Sequence, residues 1–96
     1  MNVTINPRLR ENEVITLVQQ AMQSLGKQYD LSYGLQPEWK GLQNQVPGRE
    51  GKAYALWSVA FLTPPGPFDQ TMQFLELDDA TGRPLHILTG AGRVDL

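Results

Sequence analysis

Residues 53–63, A-Y-A-L-W-S-V-A-F-L-T, decide the fold. The run is uncharged, mixes aliphatic with aromatic side chains, and lies between Lys52 and Pro64-Pro65-Gly66-Pro67. An apolar run of this length between turn formers reads as a strand buried on both faces. Alternation puts Trp57, Val59 and Phe61 on one face and Leu56, Ser58, Ala60 and Leu62 on the other. The second set is smaller on average, so the close-packed helix is expected on that side.

Upstream, Val14, Leu17, Val18, Ala21 and Leu25 are spaced three and four apart, with Gln19, Gln20, Gln23 and Ser24 between them. That is an amphipathic helix with one apolar stripe, widened by Ile15 and Met22. Asn6-Pro7 or Asn12 offers its start, Glu11 and Glu13 favour its positive end, and Gly26 its C-terminal cap. Ahead of it, Val3 and Ile5 alternate with Asn2 and Thr4, as in a short edge strand or a loose arm. Tyr29, Leu31, Tyr33 and Leu35 alternate with Asp30, Ser32, Gly34 and Gln36, which predicts a half-buried strand over 29–35. Residues 36–52 hold two prolines and three glycines. Either the preceding strand continues to about Val46 with a bulge, or this is a long loop of the kind that often carries function.

Downstream, the proline cluster at 64–67 cannot join a ladder and predicts a wide connection. Strand character resumes over 71–78, with Met72 and Phe74 on one face and Leu75 and Leu77 on the other. Asp78-Asp79-Ala80-Thr81-Gly82 is a turn whose glycine permits positive φ. Residues 85–89 form the next strand, with Leu85 and Ile87 on one face and His86 and Leu88 on the other. Residues 93–96 either fray or add a short edge pairing. The order predicts an α+β domain over 1–96, one helix on a three- to four-stranded antiparallel meander.

Leu75-Glu76-Leu77-Asp78-Asp79-Ala80-Thr81-Gly82-Arg83-Pro84-Leu85 resembles the "aspartate, x, x, threonine, glycine, x, apolar" hairpin of PepSY-type domains. A similar hairpin closes small bacterial immunity proteins with a helix-plus-sheet shape. The resemblance implies a non-enzymatic module that binds another protein.

Net charge is −2 and the eight basic residues are scattered, whereas nucleic-acid binders carry a basic stripe. There is no cysteine, so no disulfide, thiolate nucleophile or cysteine-ligated metal is available. With no signal-peptide pattern and no run of about 20 apolar residues, the expected location is cytoplasmic, off the membrane. His86 is the sole histidine and has no serine or cysteine partner identifiable in sequence, so a structural role is expected. Asp78 and Asp79 lack calcium-loop spacing, and Gly90-Ala91-Gly92 lacks the third glycine and helix of a dinucleotide loop. No catalytic, cofactor or metal site is therefore assigned. The partner-binding candidates are Trp39, Lys40, Leu42 and Arg49 in the irregular segment. An exposed tryptophan is a common interface anchor, and the alternative is that its ring folds back over the sheet. The remaining expectations are a small-ligand protein or enzyme with Tyr29, Tyr33 and Trp57 lining a pocket, and a homodimer through an edge strand.

Overall fold

A computed structural model describes residues 6–46 and 48–96. The expectation for residues 1–5 lies outside the described residues. One helix, α1 (Glu11–Ser24), precedes five strands: β1 (Gln36–Gln43), β2 (Tyr54–Leu62), β3 (Met72–Asp78), β4 (Pro84–Thr89) and β5 (Gly92–Asp95). The strands form one antiparallel sheet in sequence order, so every connection is a hairpin. The α+β layout agrees with the sequence reading. The fifth strand arises because residues 92–95 pair with β4 instead of fraying.

Helix α1 starts after Arg10, not at Asn6-Pro7 or Asn12. The Glu13 carboxylate accepts the Arg10 N–H at 3.0 Å, which satisfies one of the orphan donors of the first turn. At the other end Lys27 N–H donates to the Met22 carbonyl (2.9 Å) and Gly26 N–H to the Gln23 carbonyl (3.1 Å). This is a Schellman closure, and it needs the positive φ of 65° that Gly26 supplies. The buried stripe is Val14, Val18 and Met22, with Ile15, Leu17 and Ala21 at its margin and Leu25 outside it. Burying each of the three contributes about 1.5–3 kcal/mol before entropy.

The helix covers Trp57, Val59, Phe61, Leu75, Leu77 and Ile87, the larger set of β2 and not the smaller one. Total apolar area outweighs closeness of approach: three large side chains gain more from exclusion of water than Ser58 and Ala60 would. The opposite face packs Leu56 and Leu85 with Val46 and Tyr54. Leu85 and Ile87 do not share a face as expected. The β3–β4 register shifts between Glu76 and Leu77, and this bulge turns Leu85 toward Leu56.

No strand forms over 29–35. Asp30 Oδ1 accepts the N–H groups of Ser32 (2.8 Å) and Tyr33 (3.3 Å), and Gly34 N–H closes on the Asp30 carbonyl at 3.0 Å. This aspartate turn outcompetes the ladder and leaves Leu31 80% exposed. The first strand is instead the front half of the irregular segment, with a bulge at Lys40 between Trp39 and Gly41. Residues 44–53 then loop back to β2.

Asp79, 4% exposed, joins these parts. Its carboxylate accepts the N–H groups of Arg8 (2.7 Å) and Leu9 (2.9 Å), just ahead of α1, and the indole N–H of Trp57 (3.0 Å). Burial acts to raise the carboxyl pKa. The donors at Arg8, Leu9 and Trp57, aided by the Arg8 charge, outweigh it and hold the group below its ordinary value. A depressed folded-state pKa gives stability that is complete above the unfolded value and lost as pH falls through the folded one. Asp79→Asn is therefore expected to destabilise the protein by at least about 2 kcal/mol at pH 7. Its urea midpoint should also fall less than wild type below about pH 4. Parallel acid limbs for the two proteins would refute the assignment.

Candidate functional site

The face of the sheet away from α1 is only half covered. Over one half lies the 44–53 connection. Val46, 1% exposed, drops onto Leu56 and Leu85, and the Arg49 guanidinium sits 5.8 Å from the Tyr54 ring centroid. The Arg93 guanidinium reaches from β5 over Gly48 of this connection, so that a Cβ there would have to displace it. The φ of +75° at Gly48 is likewise a glycine conformation.

Beneath and beside this strap runs a polar row fixed by register: Glu38 opposite Ser58, Ser58 opposite Glu76, Glu76 opposite His86, and His86 opposite Asp95. Ser58, Glu76 and His86 are all buried. The Nε2–H of His86 donates to Glu76 Oε1 at 2.7 Å. His86 Nδ1 is buried with no hydrogen-bond partner among the described residues. In this row the carboxylate stands between hydroxyl and imidazole, so the imidazole is not placed to take a proton from Ser58 as a nucleophilic relay requires. Sequence reasoning missed the pair because His86 meets Glu76 only through the β4 bulge.

A depression of about 340 Å³ opens beside the row, lined by Lys40, Gln43, Gln45, Val46, Glu76 and Leu88 among others. Beyond it the face turns apolar. Ala60 lies opposite Phe74, Phe74 opposite Leu88, and Leu62 opposite Met72. Phe74 is 37% and Met72 45% exposed. These side chains form a continuous ribbon across β2, β3 and β4 with no covering element among the described residues.

The four sequence candidates do not form one patch. Trp39, opposite Trp57 in the register, folds its ring against it with centroids 5.3 Å apart and closes the rim of the helix-side core. Leu42 pairs with Ala55 on that same side and is 51% exposed. Lys40 bonds to Glu38 at 3.3 Å and borders the open-face depression. Arg49 belongs to the strap. Trp57, expected to line a ligand pocket with Tyr29 and Tyr33, is buried under α1, and Tyr29 packs edge-on against Phe61 at 6.4 Å. Asp78 shapes the turn, accepting Thr81 Oγ1–H at 2.8 Å. Among the described residues no group of three or more His, Asp or Glu side chains is placed to hold a metal, and no helix is long and apolar enough to cross a membrane.

No family model, no curated protein and no solved structure matches the chain.

The Glu76–His86 pair gives a direct test. Truncating one member leaves the other buried and unpaired, at a cost of about 1–3 kcal/mol, whereas an apolar pair of similar volume is near neutral. Glu76→Leu and His86→Phe should each lower stability in urea denaturation, and the double variant should recover most of the loss. Strictly additive losses would show that the two side chains do not act together.

Proposed function

We propose that this chain is a small protein-binding module of the immunity or inhibitor kind that docks its partner on the open face of the sheet. The carrying observation is the apolar ribbon of Ala60, Leu62, Met72, Phe74 and Leu88, bordered by the depression at Lys40 and Glu76. Exposed aromatic and thioether side chains next to a polar rim fit a protein interface. The helix side is already filled, because α1 covers the core and Trp39 closes its rim. The hairpin resemblance over 75–85 to PepSY-type domains and immunity proteins supports the same class of function. The small net charge and scattered basic residues favour protein over nucleic acid.

The test is comparative. Met72→Asp/Phe74→Asp places two charges on the ribbon, at positions exposed enough to leave the core intact. The wild-type protein and the double variant, both verified as folded, are immobilised and challenged with an extract of the source cells. The variant should lose at least about tenfold in recovery of the specific partner while its unfolding midpoint stays near that of wild type. Equal recovery by a folded double variant would move the interface off this face.

A further inference from the structure

The two edges of the sheet are unlike. Edge strand β1 carries Pro37, which lacks a ladder donor, and a bulge at Lys40. Both are devices that blunt an edge against pairing. Edge strand β5 has neither: Gly92, Arg93, Val94 and Asp95 are all exposed and pair regularly with β4. We propose that β5 is a self-association edge, on which a second copy of this chain adds its own β5 antiparallel about a two-fold axis at Val94.

Backbone parity supports this first. Thr89 pairs with Gly92 and Ile87 with Val94, and Leu96 N–H donates to the Leu85 carbonyl at 3.1 Å. In an antiparallel ladder inward-bonded residues alternate with outward ones. Gly92, Val94 and Leu96 therefore point their backbone groups at β4, and Arg93 and Asp95 point theirs away from the sheet. A second β5 meets those groups only where Arg93 or Asp95 faces Arg93 or Asp95 of the other copy.

Charge then selects among the three two-fold registers that meet this condition. Centred on Arg93, the pairing sets guanidinium against guanidinium; centred on Asp95, it sets carboxylate against carboxylate. Like charges directly opposite are destabilising. Centred on Val94, it places Arg93 of each copy opposite Asp95 of the other, twice, and uses all four outward backbone groups. Within one chain the two side chains already lie together, Arg93 Nε 2.9 Å from Asp95 Oδ1, so the dimer forms an alternating cluster of four charges. The helix side of the same edge is apolar: Val94 is 53% and Leu25 49% exposed, and both line a groove of about 340 Å³ with Ile87 and Leu96. The two-fold brings the Val94 side chains together there. The interface is isologous and closes at two copies.

An interface this short belongs to the weak class, so sedimentation equilibrium from about 1 µM to about 1 mM covers the informative range. The wild-type mass should rise from 10.7 kDa toward twice that value. Arg93→Asp alone and Asp95→Arg alone should each stay monomeric, and an equimolar mixture of the two should dimerise. A wild type that stays monomeric throughout overturns the proposal. So do single variants that associate like wild type, or a mixture of folded variants that does not associate. Should Arg93→Asp not fold, amide hydrogen exchange on the wild type decides. The Arg93 and Asp95 amides should slow at least tenfold at dimer-forming concentration while their rates in dilute solution match exposed backbone. Unchanged rates would place any dimer contact elsewhere.

Discussion

A single buried carboxylate sets how the helix sits on the sheet. An apolar stripe draws α1 to the sheet without fixing where along it the helix stops, because hydrophobic attraction is non-directional. A 14-residue helix is also marginal by itself in water. Asp79 supplies the missing direction. Its oxygens hold two backbone donors ahead of the helix and the indole of the central strand, while its own N–H donates to the Ala55 carbonyl at 2.8 Å. The N-terminal segment, β2 and the β3–β4 turn thus meet at one residue. The negative charge lies on the side of the positive helix end, where it is favourable. Turn and helix are in contact as well: a Cβ at Gly82, where φ is +73°, would lie at ordinary van der Waals distance, 3.4 Å, from a Leu17 methyl. The threonine-glycine hairpin is therefore a docking surface for the helix as much as a reversal of the chain.

The two faces of the sheet follow from what is left. Once α1 has taken Trp57, Val59 and Phe61, the other face must be covered by chain that is not regular structure. The 44–53 connection reaches only as far as Val46 can insert between Leu56 and Leu85. Under and beside it, Glu76 and His86 Nε2 satisfy one another, while His86 Nδ1 has no partner among the described residues. Past its end the strands still need apolar side chains to pair across, and Ala60, Phe74 and Leu88 do so in the open. The apolar ribbon is thus the part of a second layer that none of the described residues supplies. A partner that supplies it completes a sandwich of ordinary proportions.

Long periodic segments were legible in the sequence. The helix stripe, β2 and β3 follow from spacing alone, as does the meander. What misled was chemistry that periodicity does not weigh. Residues 29–35 alternate as well as any strand, but Asp30 and Gly34 make a tight turn there, and the strand forms after it. The face that α1 covers is not the one that side-chain size suggests, because buried apolar area decides it and not closeness of fit. The candidate site was the least legible part. Counting the hairpin register outward from Leu77 opposite Pro84 pairs Glu76 with Leu85. Only the bulge, which has no letter of its own, brings His86 beside the carboxylate. Trp39 stood out as a large ring in a broken segment, and its fate against Trp57 depended on a strand that the prolines had disguised.

Arg93 ties the strap to the free edge. Its guanidinium lies over Gly48, where a Cβ would have to push it aside, and along Asp95 on the same strand. Glu50, in the strap, has its carboxyl held below the ordinary range chiefly by the backbone N–H groups of Glu50 and Gly48, and to a lesser degree by the Arg93 charge. The guanidinium donors go to Asp95 on the same strand, while the body of the group lies over Gly48 and its charge reaches Glu50 in the strap. The strap in turn roofs the region of His86 and Glu76. Any contact that draws Arg93 outward along the edge is thereby a contact on the cover of the open face. The free edge and the cover of the open face thus meet at one side chain.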